Sequence, residues 1–405
     1  MKKISIAFLL IILTFFIVSC NGETISSSNT PSSDNLDIQE QPSEPTGPSQ
    51  NLEYILNEEE NGYILSGRGT CTDGKIIMPS TYNSLPVVEI GKGAFEGVKG
   101  VYGVVVGDNV EKIGENAFLG CTDMTVLTLS DSVKEIGNQA FYRLEKLGEV
   151  NFGTGIEVIR YRAFKGCITL NSVALPSSLV SLGIESFMDC RGLKSVSLEA
   201  GLERIDMRAF SGCEAIEEIA IPNTVATVGS SAFGGCQSLK KIQIPNSVVA
   251  LGDGAFYYCS QLKDVDVGNG VKEINSLTFY GCEMLENITV GESVVAIGSE
   301  AFSGCRALKE IELPESITSI GKGAFITCVR LEKIHLGKNV KVIGREAFSK
   351  CESLKEVTLN EGLEIIGDKA FNECYSLKEI TIPSTVEKLS DTAFNQCPAG
   401  NSIQG

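Results

Sequence analysis

The chain has 405 residues, 43% of them hydrophobic and 21% charged, with no tryptophan, one histidine and a net charge of -17. That is too apolar for a disordered polymer. So acidic a surface repels phosphate backbones and anionic headgroups alike, which excludes nucleic acid and a basic membrane-docking patch as partners.

Residues 1–19 read as an export signal. Met1-Lys2-Lys3 is positive, and the run from Ile4 to Val18 is apolar except for Ser5 and Thr14. The run is shorter than the roughly 20 residues a bilayer span needs and suits the core of a signal peptide. It ends Ile17-Val18-Ser19-Cys20, which resembles the bacterial lipobox. The resemblance implies that the Cys20 sulfur receives diacylglycerol, making Cys20 the anchor and the lipid the only membrane contact. A single acyl chain would hold marginally, whereas the usual further acylation makes the attachment stable. The expected location is an exported lipoprotein of the outer membrane or cell surface.

Residues 20–50 form the lipidated cysteine and a tether. From Asn21 onward the segment is dominated by Ser, Pro, Asn, Thr and Gln, with acidic residues and no Lys or Arg. It holds too little apolar surface to offset the entropy of ordering. Residues 51–85, with short alternating runs such as Tyr63-Ile64-Leu65 and Ile76-Ile77-Met78, read as a β cap that shields the first coil of the C-terminal region.

Residues 86–405 form a repeat. Phenylalanine recurs at 95, 118, 141, 164, 187, 210, 233, 256, 279, 302, 325, 348, 371 and 394, always 23 residues apart. Ala precedes it except at Ser186 and Thr278, and Cys follows three residues later except at Val98 and Leu144. One coil reads Leu-x-x-Ile-x-Ile-Pro-x-x-Val-x-x-Ile-Gly-x-x-Ala-Phe-x-x-Cys. The Ile-x-Ile step predicts a short strand with one buried face. The Ile-Gly step predicts a turn with permissive backbone angles, and Ala-Phe-x-x-Cys a single helical or 3₁₀ turn. No coil can cover its own apolar side chains, so stability must come from stacking on neighbours. The pattern closely resembles the BspA-type leucine-rich repeat of bacterial surface proteins, from about residue 86 to residue 397. The expected fold is therefore a leucine-rich-repeat-like solenoid of about 14 coils, each with one short parallel strand plus turn or 3₁₀ segments. Beyond Cys397 the sequence offers no obvious cap, which predicts a fraying end or an oligomer contact.

The repeated cysteines read as buried free thiols acting as small hydrophobes, with a few pairwise disulfides as the alternative in an oxidising compartment. Neither a metal site nor a cofactor site is expected: a linear stack cannot wrap thiolates around zinc, and no C-x-x-C occurs. Glu312, His335 and Thr358 fall at the same outward strand position in successive coils and imitate a catalytic row. An open sheet face provides no oxyanion hole, so they read as a polar ladder and no enzyme is expected.

The best binding surface is the outward strand column. Its first six members, Val105, Thr128, Asn151, Ala174, Ser197 and Ala220, are small and uncharged, with Tyr102 and Val126 beside them. This strip is the candidate protein-binding face, although small residues there also relieve crowding on a concave sheet. The family resemblance implies cell-surface attachment through host matrix or plasma proteins, or through other microbes. The alternatives are a glycan-binding module, for which Tyr142, Tyr257 and Tyr280 are the available aromatics, and a structural envelope component.

Overall fold

A computed structural model describes residues 47–401. Cys20, the signal segment and most of the tether lie outside the described residues. The described part is a stack of 23-residue coils in which two short strands alternate with a string of turns.

The first strand of each coil is the expected one. Gly103–Val105, Val126–Thr128 and Glu149–Asn151 pair in parallel, each residue opposite its repeat equivalent. The alternation buries Val104, Leu127 and Val150 and turns their neighbours outward. A second parallel ladder was not expected. Lys112–Ile113, Glu135–Ile136 and Val158–Ile159 pair in register at the Ile that precedes the repeated glycine.

The glycine after that Ile has a different purpose from the one its sequence suggests. Gly114 does not have a positive φ. A Cβ there would lie 2.7 Å from the Gly91 carbonyl carbon and 2.8 Å from the Ile90 oxygen, so glycine permits close approach of the preceding coil. The left-handed positions lie on either side of the phenylalanine. Two residues before it, Asn116, Gln139 and Arg162 have φ of 54–56°. Two residues after it, Gly120 and Gly166 have φ of 81° and 78°. Only a permissive or strained residue sits there.

The Ala-Phe-x-x-Cys segment is a series of turns, and the only 3₁₀ helix among the described residues is Pro398–Asn401. The reason lies in how the amides are used. Leu119 N donates to Asn116 O at 3.0 Å and Cys121 N to Phe118 O at 3.1 Å, which are bonds within the turn. The intervening Asn116 N and Phe118 N donate instead to Asn138 O and Ala140 O of the next coil, both at 2.9 Å. Alternate amides leave the segment, so no continuous helical ladder forms.

The core is the phenylalanine column. Thirteen of its rings are fully buried, Phe95 through Phe371. Successive rings stack with centroids 5.0–5.7 Å apart and planes within 3–19°. The spacing is close to the strand repeat of about 4.8 Å. Each cysteine sits beside the ring as a free thiol, as the sequence favoured. Its S–H donates to the phenylalanine carbonyl of the coil before, from Cys121 to Phe95 at 2.9 Å through Cys374 to Phe348 at 3.2 Å.

At the start of the array, Glu53–Leu56 pairs antiparallel with Tyr63–Gly67, which in turn pairs parallel with Leu85–Ile90 and so leads the second ladder. Lys75–Ile77 leads the first ladder against Gly103–Val105. At the other end, Pro398–Asn401 folds back on the last coil: Ala399 is fully buried and its amide donates to Leu377 O at 2.9 Å. This short turn partly covers an end for which the sequence showed no cap, while Phe394 stays only partly buried.

Candidate protein-binding face

The first-strand ladder presents outward rows of side chains whose positions are set by strand register. Val105, Thr128 and Asn151 stand opposite one another, as do Ala174 and Ser197. Asn151, Ala174, Ser197 and Ala220 are exposed, whereas Val105 and Thr128 are partly covered. The Tyr102 ring lies against Gly74, where a Cβ would come within 2.7 Å of it, and remains 41% exposed. Val126 lies across Gly103, which lacks the side chain that would block it.

The strip is not one continuous sheet. Pairing is interrupted between Asn151 and Ala174, and in the coil of Ala220 the strand shrinks to a bridge at Glu218 joining Ser195 and Lys241. The low-charge surface therefore comes in three pieces, with Ala220 outside any strand.

The sequence reading missed a hollow on this face. A hollow of about 970 Å³ lies farther along, over Lys241–Ile244, Asp264–Val267, Asn287–Thr289, Glu310–Glu312 and Lys333–His335. Its lining includes Asp264, Asp266, Glu286, Glu292, Glu310, Glu312 and Glu315, against Lys241 and Lys333. The signal was legible: alternate outward positions in one strand carry Asp264 and Asp266, and in another Glu310 and Glu312. The depth was not legible, because it depends on how successive strands stack.

Glu312, His335 and Thr358 align in register as expected. Among the described residues no hydrogen bond joins the three side chains, so the row does not form a nucleophile–base pair. No group of three or more His, Cys, Asp or Glu among the described residues could hold a metal ion.

Charges along the rim pair between neighbouring coils. Lys355 Nζ donates to Glu332 at 2.7 Å, and that hydrogen bond holds the Glu332 carboxyl below its ordinary value. Lys240 does the same to Glu217. These carboxylates stay ionised through the neutral range. Inside the stack, burial pushes the thiols the other way, with Cys121 raised to about 11 and Cys328 to about 12.

The repeat itself decides the relationship. The BspA type leucine rich repeat region matches residues 74–194, 180–297 and 272–400, with six copies in all. This chain belongs to the BspA-type leucine-rich repeat family. No curated protein matches it. Solved bacterial proteins are similar at modest identity. A leucine-rich repeat protein from Bacteroides ovatus shares 26% identity over 85% of this chain and 99% of its own, with a TM-score of 0.47. A leucine rich cell surface protein from Faecalibacterium prausnitzii shares 27% identity over 71% of this chain and 93% of its own, with a TM-score of 0.38. The pneumococcal vaccine antigen PcpA shares 22% identity over 79% of this chain and 78% of its own, with a TM-score of 0.47. As a BspA-type array, the chain stacks its repeats so that only nearest neighbours share a core. Among the described residues no helix is long and apolar enough to cross a membrane.

Proposed function

We propose that this BspA-type chain is an exported lipoprotein, anchored through Cys20, whose solenoid presents its first-strand face to a protein partner. One observation supports this most: the face carries in-register, outward rows along most of the array, and the side chains in them are largely exposed. Such rows offer a long surface, and stable protein contacts need about 800 Å² per partner. The face also has two chemistries. Val105, Thr128, Asn151, Ala174, Ser197 and Ala220, with Tyr102 and Val126, give a low-charge strip for close apolar contact. The acidic hollow beyond it suits a basic patch on the same partner. The similar surface protein from Faecalibacterium prausnitzii agrees with display outside the cell. In this reading the array binds and performs no catalysis, and its only membrane contact is the lipid.

The test is binding of residues 51–405 to immobilised host extracellular glycoproteins, before and after their glycans are removed. Binding should survive deglycosylation and weaken about tenfold or more in Ala174→Asp and Ala220→Asp. Binding that disappears with the glycans, or that ignores both substitutions, overturns the reading.

A further inference from the structure

On the opposite, turn side of the array, the two positions after each repeated phenylalanine are mostly small around the middle of the chain. They read Ser211-Gly212 and Gly234-Gly235 before Phe256, and Ser303-Gly304 after Phe302. Between them stand Tyr257, Tyr258 and Tyr280, three tyrosines on two adjacent coils. The rings of Tyr257 and Tyr258 lie 5.6 Å apart at 63°, and those of Tyr258 and Tyr280 lie 5.2 Å apart at 89°.

Two glycines seat the cluster. A Cβ on Gly234 would come within 1.9 Å of the Tyr257 ring, and one on Gly281 within 2.7 Å of the Tyr258 ring. Tyr257 therefore reaches back over one coil and Tyr258 forward over the next. Tyr258 has φ of +54°, a left-handed conformation that Gly235 and Gly281 adopt in the adjoining coils and that Arg143, Thr327 and Lys350 also adopt at the equivalent position farther along. It remains 52% exposed. What sets Tyr258 apart from those residues is a large aromatic ring left half exposed between two others, which offers a ready surface for a ligand.

We propose that Tyr257, Tyr258 and Tyr280 form a carbohydrate-binding platform for a neutral glycan. The apolar C–H face of a pyranose carries slight positive charge and packs on the negative face of an aromatic ring. Tyr258 is half exposed, so part of its ring remains available to such a contact. The phenol hydroxyls can donate to and accept from sugar hydroxyls, and Glu300 lies close enough to influence Tyr280. A neutral ligand fits the charge: the chain carries -17 overall, and Glu300 borders the site. Two coils span about 10 Å at the strand spacing, which suits one or two sugar rings and falls far short of a protein interface of about 800 Å² per side. The platform is independent of the first-strand face and stands or falls without it.

The experiment is a titration of the full chain, in detergent, with tetrasaccharides of a glucan, a mannan and a galactan. Tyrosine fluorescence reports binding, since the chain has no tryptophan. At least one series should bind saturably. Tyr258→Gly, which removes the ring and relieves its backbone, should keep its thermal midpoint and lose about tenfold or more in affinity. Gly234→Ala should also weaken binding by displacing Tyr257, whereas Tyr375→Ala, which removes an exposed tyrosine from a distant coil, should leave it unchanged. No saturable binding in any series overturns the proposal, as does unchanged affinity in Tyr258→Gly. Tyr258-dependent binding to zwitterionic vesicles in place of sugar would overturn it too.

Discussion

The two sides of each coil use the same 23 residues in opposite ways. On the turn side, the phenylalanine ring, the thiol and the alternate amides all have partners within the stack, and Phe256, Cys259 and Ala255 are fully buried. On the first-strand side of the next repeat, Val265 is buried, while Asp264 and Asp266 face solvent and Asp264 meets its neighbour only through a surface hydrogen bond accepted from Asn287. The first side holds the array together, and the second is free to vary without disturbing the stack. A repeat protein can thus change its binding surface while keeping its core, because outward strand positions take little part in the nearest-neighbour interfaces that set stability.

This contrast predicts an order of effects, and alkali should produce the largest. Unfolded thiols ionise near their ordinary value of 9.0, whereas burial holds Cys121 protonated to about 11 and Cys328 to about 12. Their contribution is therefore whole below pH 9 and is lost as pH rises through the folded values. Each such thiol lowers stability by up to about 1.4 kcal/mol per pH unit in that window. Denaturant melts from pH 8 to pH 11 should show a steep fall that becomes shallower when central cysteines are replaced by valine, the residue already present at Val98. An unchanged slope in that variant would show that other groups drive the loss.

Next in size is Phe256→Ala, which should cost about 3–5 kcal/mol by opening a cavity between two stacked rings. Chemical denaturation measures it, and a cost under about 1 kcal/mol would mean that the turn side is looser than the ring stack implies. A smaller effect of opposite sign is expected at Ser186, which replaces the usual alanine; its hydroxyl is buried with no hydrogen-bond partner. Ser186→Ala should raise stability by about 1–2 kcal/mol, and a fall in the melting midpoint would contradict that. The smallest effect belongs to the rim. Lys240 and Glu217 pair with both side chains more than half exposed, so Lys240→Ala should leave the melting midpoint unchanged within error. A clear drop there would erase the distinction between the two sides.

Much of the molecule was readable in the sequence. The invariant 23-residue spacing set which residues stack, so the buried column from Phe95 to Phe371 and the register of Glu312, His335 and Thr358 followed directly, while the cysteines read as buried thiols with pairwise disulfides left as the alternative. The resemblance to the BspA-type repeat was legible too, and the match to that family's repeat region bears it out. The low-charge strip was legible as a row, but its breaks near Ala174 and Ala220 were not. One conformational reading also differed from the structure: the Ile-Gly glycine serves close approach, and the left-handed positions flank the phenylalanine instead.

What the sequence by itself determined is the period, and with it the core and the identity of every row, because an unbroken repeat places equivalent residues opposite one another whatever the coil's detailed path. The tertiary structure alone decided the second ladder, the acidic hollow and the seating of Tyr257 and Tyr258 on Gly234 and Gly281. Each of these depends on the distance between backbones 23 residues apart, and that distance is set by the packing of whole coils, which no local pattern of residues encodes.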